Sequence, residues 1–163
     1  EAAPAPTAMR AARPTLRARV QKAVEVLKQQ PAALVDHARI GAFGYCFGGS
    51  TVLELVRAGD ALAGVVSLHG GLATDLPAAG AVKAPVLVLN GGDDTYVSAA
   101  EITAFQDEMR KVGADWQFVN FSGAVHCFAE SDAQNPPGCV YHERSAKRAY
   151  RMMADFFEEV FAK

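Results

Sequence analysis

The apolar run Arg39–Tyr45 passes without a linker into Gly44-Tyr45-Cys46-Phe47-Gly48-Gly49 and then into a helical pattern, Gly49–Ala58. No other stretch restricts the fold as tightly. A reactive side chain at a sharp strand-to-helix turn holds its own backbone in a sparsely populated conformation, so small neighbours are needed two positions away on either side. G-x-C-x-G is the nucleophile elbow with cysteine in place of serine. It presents Cys46 at the N-terminus of the next helix, where the dipole favours a thiolate. It also makes the Phe47 N–H a donor for a developing oxyanion. A Gly-rich phosphate loop and a buried cysteine at a tight turn are the competing readings, and placement between strand and helix favours the elbow.

The rest of the chain supplies the setting. Leu16, Val20, Val24 and Leu27 form one stripe of an amphipathic helix running from Pro14 to about Gln30. Ala63–Leu68, Pro85–Asn90 and Trp116–Phe121 read as further strands. Ser98-Ala-Ala-Glu101 is a capping box opening a helix to about Lys111, and Tyr141–Phe161 forms the last helix. Strands alternating with helices predict an α/β fold, a doubly wound and mostly parallel sheet with its ligand site beyond the carboxyl ends of the strands. The Ala/Pro-rich residues 1–14 read as a tail or linker, with one domain over 15–163.

Composition narrows the function classes. Sixteen basic against 18 acidic residues, a net charge of −2, exclude a charged disordered chain and give no reason to expect nucleic acid. Six of the basic residues fall in the first 30, and they read as the solvated face of the first helix. No apolar stretch approaches the ~18 residues of a membrane span. Three cysteines, Cys46, Cys127 and Cys139, are too few and too odd in number for a disulfide scaffold. Reduced thiols and a cytoplasmic setting are therefore expected, with a Cys127–Cys139 bond the less common alternative.

A cysteine nucleophile calls for a base. His37 lies in a polar turn, His142 opens the last helix, and His69, at the end of a strand, is read as loop packing. His126 follows the last strand, the position of the base when nucleophile, acid and histidine come in that order. The acid then belongs after Pro85–Asn90, where Gly91-Gly92-Asp93-Asp94-Thr95-Tyr96-Val97 offers Asp93 and Asp94.

Gly44–Gly49, Gly91–Val97 and Ala124–Phe128, in this order and at these separations, resemble the motifs of the dienelactone hydrolase family of α/β hydrolases. The resemblance extends over nearly the whole chain after the tail. It implies a Cys46–Asp94–His126 triad, with the acid at Asp94 rather than Asp93. It also implies hydrolysis of a carboxylic ester or lactone through a thioester, with Phe47 N–H binding the oxyanion and no metal or organic cofactor. The expected partner is a small ester or lactone. Tyr45, Tyr96 and Phe128 flank the triad and are candidates for the pocket wall.

Two departures stand out. The family carries a basic residue four positions after the triad histidine, where this chain has Glu130; an acid there favours a neutral ester or lactone over an anionic one. The family also has several strands ahead of the nucleophile strand, while Cys46 here follows a single helix. The chain is therefore expected to be the C-terminal portion of a larger α/β-hydrolase domain, lacking the N-terminal strands. Two alternatives remain: a class I glutamine amidotransferase-like cysteine hydrolase, disfavoured by Phe128 where its acid would stand, and a non-catalytic remnant of the fold.

Overall fold

Strand and helix follow one another as the apolar runs require, and a computed structural model describes residues 12–162. Residues 1–11, most of the expected tail, lie outside that range. Helix α1 (Arg13–Lys28) takes in Arg13 and Pro14, because proline fits a helix's first positions, where no N–H is needed. Then come β1 (Gly41–Tyr45), α2 (Phe47–Ala58), β2 (Gly64–Leu68), β3 (Val86–Gly91), α3 (Ala99–Lys111) and β4 (Trp116–Phe121). A two-residue antiparallel pair, β5 (Gln134–Asn135) and β6 (Cys139–Val140), precedes the last helix, α4 (Glu143–Phe161).

The sheet is four-stranded and parallel in the order β1-β2-β3-β4. Its register pairs Tyr45 with Leu68, Leu68 with Leu89 and Leu89 with Val119, so the strands end at nearly one level. Alternate side chains feed two cores. Val65, Val86 and Val88 pack with Leu53, Val56, Phe105 and Met109 on the α2–α3 face. Val66, Leu68, Leu87 and Leu89 pack with Ala149, Phe156 and Phe157 of α4 on the other. Among the described residues β1 has a sheet neighbour on one side only, and Phe43 on that edge strand is half exposed. No helix among them is long and apolar enough to cross a membrane.

The capping box forms as expected: Ser98 Oγ accepts the Glu101 N–H, and Glu101 accepts the Ser98 N–H at 2.8 Å. Ser98→Ala is expected to cost about 1 kcal/mol, read as a lower urea midpoint at unchanged m-value.

The basic opening is not simply a solvated face. Arg13 and Arg17 reach across to Glu54 on α2 at 3.2 and 2.8 Å, and the Glu54 side chain is fully buried. Arg57, one turn on, contacts the same carboxylate at 3.2 Å and Glu108 on α3 at 3.0 Å. Buried carboxylates require such partners, and the network ties α1 and α3 to α2.

Candidate active site

The turn after β1 has the geometry the sequence demanded. Cys46 sits at φ 48° and ψ −117°, outside the regions that side-chain-bearing residues normally occupy. A Cβ at Gly44 would fall onto the backbone carbonyl of Gly48, so the elbow can form only with glycine there. Space around Gly48 is open, so the expected need for a small residue on both sides of Cys46 holds at Gly44 and not at Gly48. Phe47 is the first residue of α2, which places its N–H at the positive end of the helix.

The loop after β3 separates the two acidic candidates. Asp93 is exposed, while Asp94 is 7% exposed and its Oδ2 accepts the His126 Nδ1–H at 2.8 Å. Its Oδ1 accepts the Tyr96 N–H at 2.8 Å, which fixes the carboxylate's rotation. His126 comes this close because its loop lies directly on Gly91, where a Cβ would stand 2.6 Å from the Ala124 carbonyl oxygen. With Nδ1–H donated to Asp94, the other ring nitrogen carries no proton and keeps its lone pair available. A ring nitrogen of His126 lies within 4.8 Å of Cys46 Sγ. Contacts between a nucleophile and its base are often loose or poorly aligned before substrate binds and tighten only afterwards.

The thiol has other neighbours. Cys46 Sγ donates to Glu130 Oε1 at 3.1 Å, and His69 Nδ1 lies 3.4 Å away. The Cys46 N–H also points to His69 Nδ1 at 3.3 Å, which assigns the His69 proton to Nε2. His69, read from sequence as loop packing, is thus part of the site. The register explains why: Tyr45 pairs with Leu68, so the residues that follow, Cys46 and His69, leave adjacent strands side by side. Glu130 arrives by a tight turn, its N–H bonded to the Cys127 carbonyl at 2.9 Å.

Burial, helped by repulsion from His126, lowers the His69 pKa from 6.5 to about 4. Its Nε2 is buried without a hydrogen-bond partner, 3.7 Å from Glu130 Oε1. Below pH ~6.5 the unfolded chain takes up a proton that the folded chain refuses until about pH 4. Stability is therefore level above that window and falls through it by up to about 3 kcal/mol. Urea midpoints at pH 7 and pH 4.5 should show the loss, and His69→Phe should reduce it.

The aromatic candidates divide. Tyr96, its ring 5.0 Å from that of His126, lines a cleft of about 330 Å³ with Gly71, Val97, His126, Cys127 and Cys139. Tyr45 is absent from that lining and hydrogen-bonds the Tyr150 hydroxyl at 3.1 Å. Phe128 is not a pocket wall: it is fully buried, 5.3 Å from the rings of both His69 and Phe121. An acid two positions after His126 is likewise missing, because that position belongs to the core.

The cysteine expectation also needs correcting. Cys127 and Cys139 are joined in a disulfide, leaving Cys46 as the thiol. The pairing withdraws the ground for a reducing, cytoplasmic setting, since such bonds persist mainly in oxidising compartments. It also consumes a ligand from the grouping Cys46, Cys127 and Glu130. Cys46, His69 and His126 still offer a mixed thiolate–imidazole set that could hold a zinc-like cation.

Comparisons with known proteins agree with this geometry. The dienelactone hydrolase family model matches residues 3–161. An uncharacterized protein of Caenorhabditis elegans is 32% identical over 152 residues, covering 90% of this chain and 95% of that protein. The solved structure of m3DLH superposes with a TM-score of 0.89 at 36% identity, covering 96% of this chain and 65% of the other. A dienelactone hydrolase-like promiscuous phosphotriesterase from metagenomic libraries superposes at 0.86 with 35% identity, covering 94% and 65%. The chain thus spans slightly under two thirds of each of these two structures. With the elbow, the Asp94–His126 pair and the parallel sheet all in register, the chain belongs to the dienelactone hydrolase family.

Proposed function

We propose that the chain hydrolyses neutral carboxylic esters or lactones through a thioester on Cys46. The observation that carries this reading is the pair formed by buried Asp94 and part-buried His126 beside the Cys46 elbow. Cys46 attacks the acyl carbon while its proton passes to the free nitrogen of His126. The oxyanion is stabilised by the Phe47 N–H at the start of α2. The intermediate collapses to a thioester as His126 protonates the departing alkoxide. Water then attacks the thioester as His126 again takes the proton. The C–S bond breaks with its electron pair going to Cys46 Sγ, His126 returns the proton there, and the carboxylic acid leaves. The substrate is a small molecule sized to the cleft beside Tyr96, and the reaction calls for no cofactor.

Glu130 sets the charge rule. Its carboxylate touches the nucleophile, so an anionic group brought to Cys46 meets repulsion. A neutral phosphotriester obeys the same rule and is a second reading, motivated by the likeness to the 35%-identical promiscuous phosphotriesterase. Turnover of a p-nitrophenyl ester of a short acid, with mass detection of acylated Cys46, tests the main reading; equal rates for the wild type and Cys46→Ala would defeat it. Turnover of a phosphotriester without ester turnover would favour the second.

Glu130→Gln is expected to raise the ratio of kcat/KM for a carboxylate-bearing ester over a neutral one roughly fivefold. That corresponds to about 1 kcal/mol for a partly solvated charge. A ratio that does not change would remove Glu130 from substrate selection.

A further inference from the structure

We infer that Cys46 has a second reaction partner within its own site, the Cys127–Cys139 disulfide, with which it undergoes thiol–disulfide exchange. Cys46 Sγ lies 3.8 Å from Cys127 Sγ, a contact between a thiol and a bonded sulfur. Such exchange needs a thiolate against the sulfur it attacks and a leaving sulfur able to accept the charge. Both acceptors for the thiol proton, Glu130 Oε1 and His69 Nδ1, are already within 3.4 Å of Cys46 Sγ. Cys127 is 5% exposed, and Cys46 Sγ already stands in contact with its sulfur. Cys139, half-buried on β6 and lining the cleft, is the sulfur that would be released.

The step balances without any further reagent. Cys46 gives up its proton to the Glu130 carboxylate, and its sulfur lone pair forms the Cys46–Cys127 bond. The Cys127–Cys139 bond breaks with its electron pair going to Cys139 Sγ, which takes up a proton from water as Glu130 returns its own to water. There is one thiol and one disulfide before and after, so nothing is oxidised or reduced overall. The exchanged form has its nucleophile capped. It also frees β6 from its covalent tie to the His126 loop, although the Val140 N–H can still bond the His126 carbonyl, now at 3.1 Å. Only the sulfur contacts are needed, so the inference stands apart from the hydrolase reading.

Disulfide mapping of the whole chain tests it. The protein is held near neutral pH without reductant, quenched in acid, unfolded and labelled with N-ethylmaleimide. Trypsin together with a Glu-specific protease then separates Cys127 from Cys139 by cutting at Glu130. Expected are a loss of label at Cys46 matched by a gain at Cys139, and a peptide pair joined through Cys46 and Cys127. Label confined to Cys46, with Cys127–Cys139 as the linked pair throughout, would overturn the proposal. Cys139→Ser provides a second measurement: with oxidised glutathione it should close a Cys46–Cys127 bond and lose all maleimide label. A stable glutathione adduct on Cys46 with no internal bond would count against it. Ester turnover enters neither readout, so loss of the hydrolase reading would leave this result unaffected.

Discussion

Asp94→Asn is expected to lower kcat for ester hydrolysis by roughly 10³–10⁴-fold while leaving the fold in place. The reason is a proton on the wrong nitrogen. Asp94 Oδ2 accepts the His126 Nδ1–H at 2.8 Å, which leaves the opposite nitrogen unprotonated and able to take the thiol proton. An asparagine amide turned to donate at that position makes Nδ1 the acceptor and moves the ring proton to the nitrogen that should serve as base. The side-chain oxygen can still accept the Tyr96 N–H, so the loop keeps its anchor. Turnover of a p-nitrophenyl ester, with circular dichroism and urea melts as controls for folding, reads the effect. Because triad members act as a unit, Asp94→Asn added to Cys46→Ala should cost little beyond Cys46→Ala alone. A loss smaller than about tenfold would remove His126 as the base. It would direct attention to His69, which lies 3.4 Å from the same sulfur.

The largest stability effect is expected far from the nucleophile. Glu54→Leu should lower stability by about 3–5 kcal/mol, since removing one partner from a buried ionic network strands the others. Three guanidinium groups, from Arg13, Arg17 and Arg57, converge on the Glu54 carboxylate, and the Arg57 side chain is 1% exposed. Two of the three keep another carboxylate: Arg57 that of Glu108 on α3, which also accepts the Ala78 N–H at 2.8 Å, and Arg13 that of the exposed Asp75 at 2.7 Å. For a chain of this size the loss corresponds to a drop in Tm of roughly 6–20 °C. Arg57→Leu should act similarly, by leaving Glu54 and Glu108 undercompensated. The double replacement should be milder than the sum, because removing both partners leaves less charge stranded. A Tm within about 2 °C of wild type for Glu54→Leu would show the network to be dispensable.

What could be read in advance follows the range of the forces involved. The helix at Ala99–Lys111 was legible because its signal is local: Ser98 and Glu101 are three residues apart and satisfy each other's backbone. Trp116–Phe121 matched its expected bounds, and the other strands shifted by a residue or two. The β5–β6 pair was not legible, since two-residue strands have no periodicity to detect. Glu54 and Arg57 sat unnoticed in the apolar run GSTVLELVRA, because, apart from each other, their charged partners lie 37 to 51 residues away in sequence. Phe128, beside a triad position in sequence, points into the core under His69, and no spacing rule encodes that choice.

The sequence by itself determined the sharp turn at Cys46, the chain order Cys46, Asp94, His126, and the alternation of strand and helix. Each of these depends on residues close together or on chain order alone. Tertiary structure brought Asp94 onto His126, seated His69 and Glu130 against the thiol, joined Cys127 to Cys139 and gave Glu54 its three arginines. Those outcomes depend on which strands lie side by side and how far each loop folds back. Parallel strands are joined by long crossovers whose residues do not specify register, so these neighbours are set only when the whole sheet and its helices pack together.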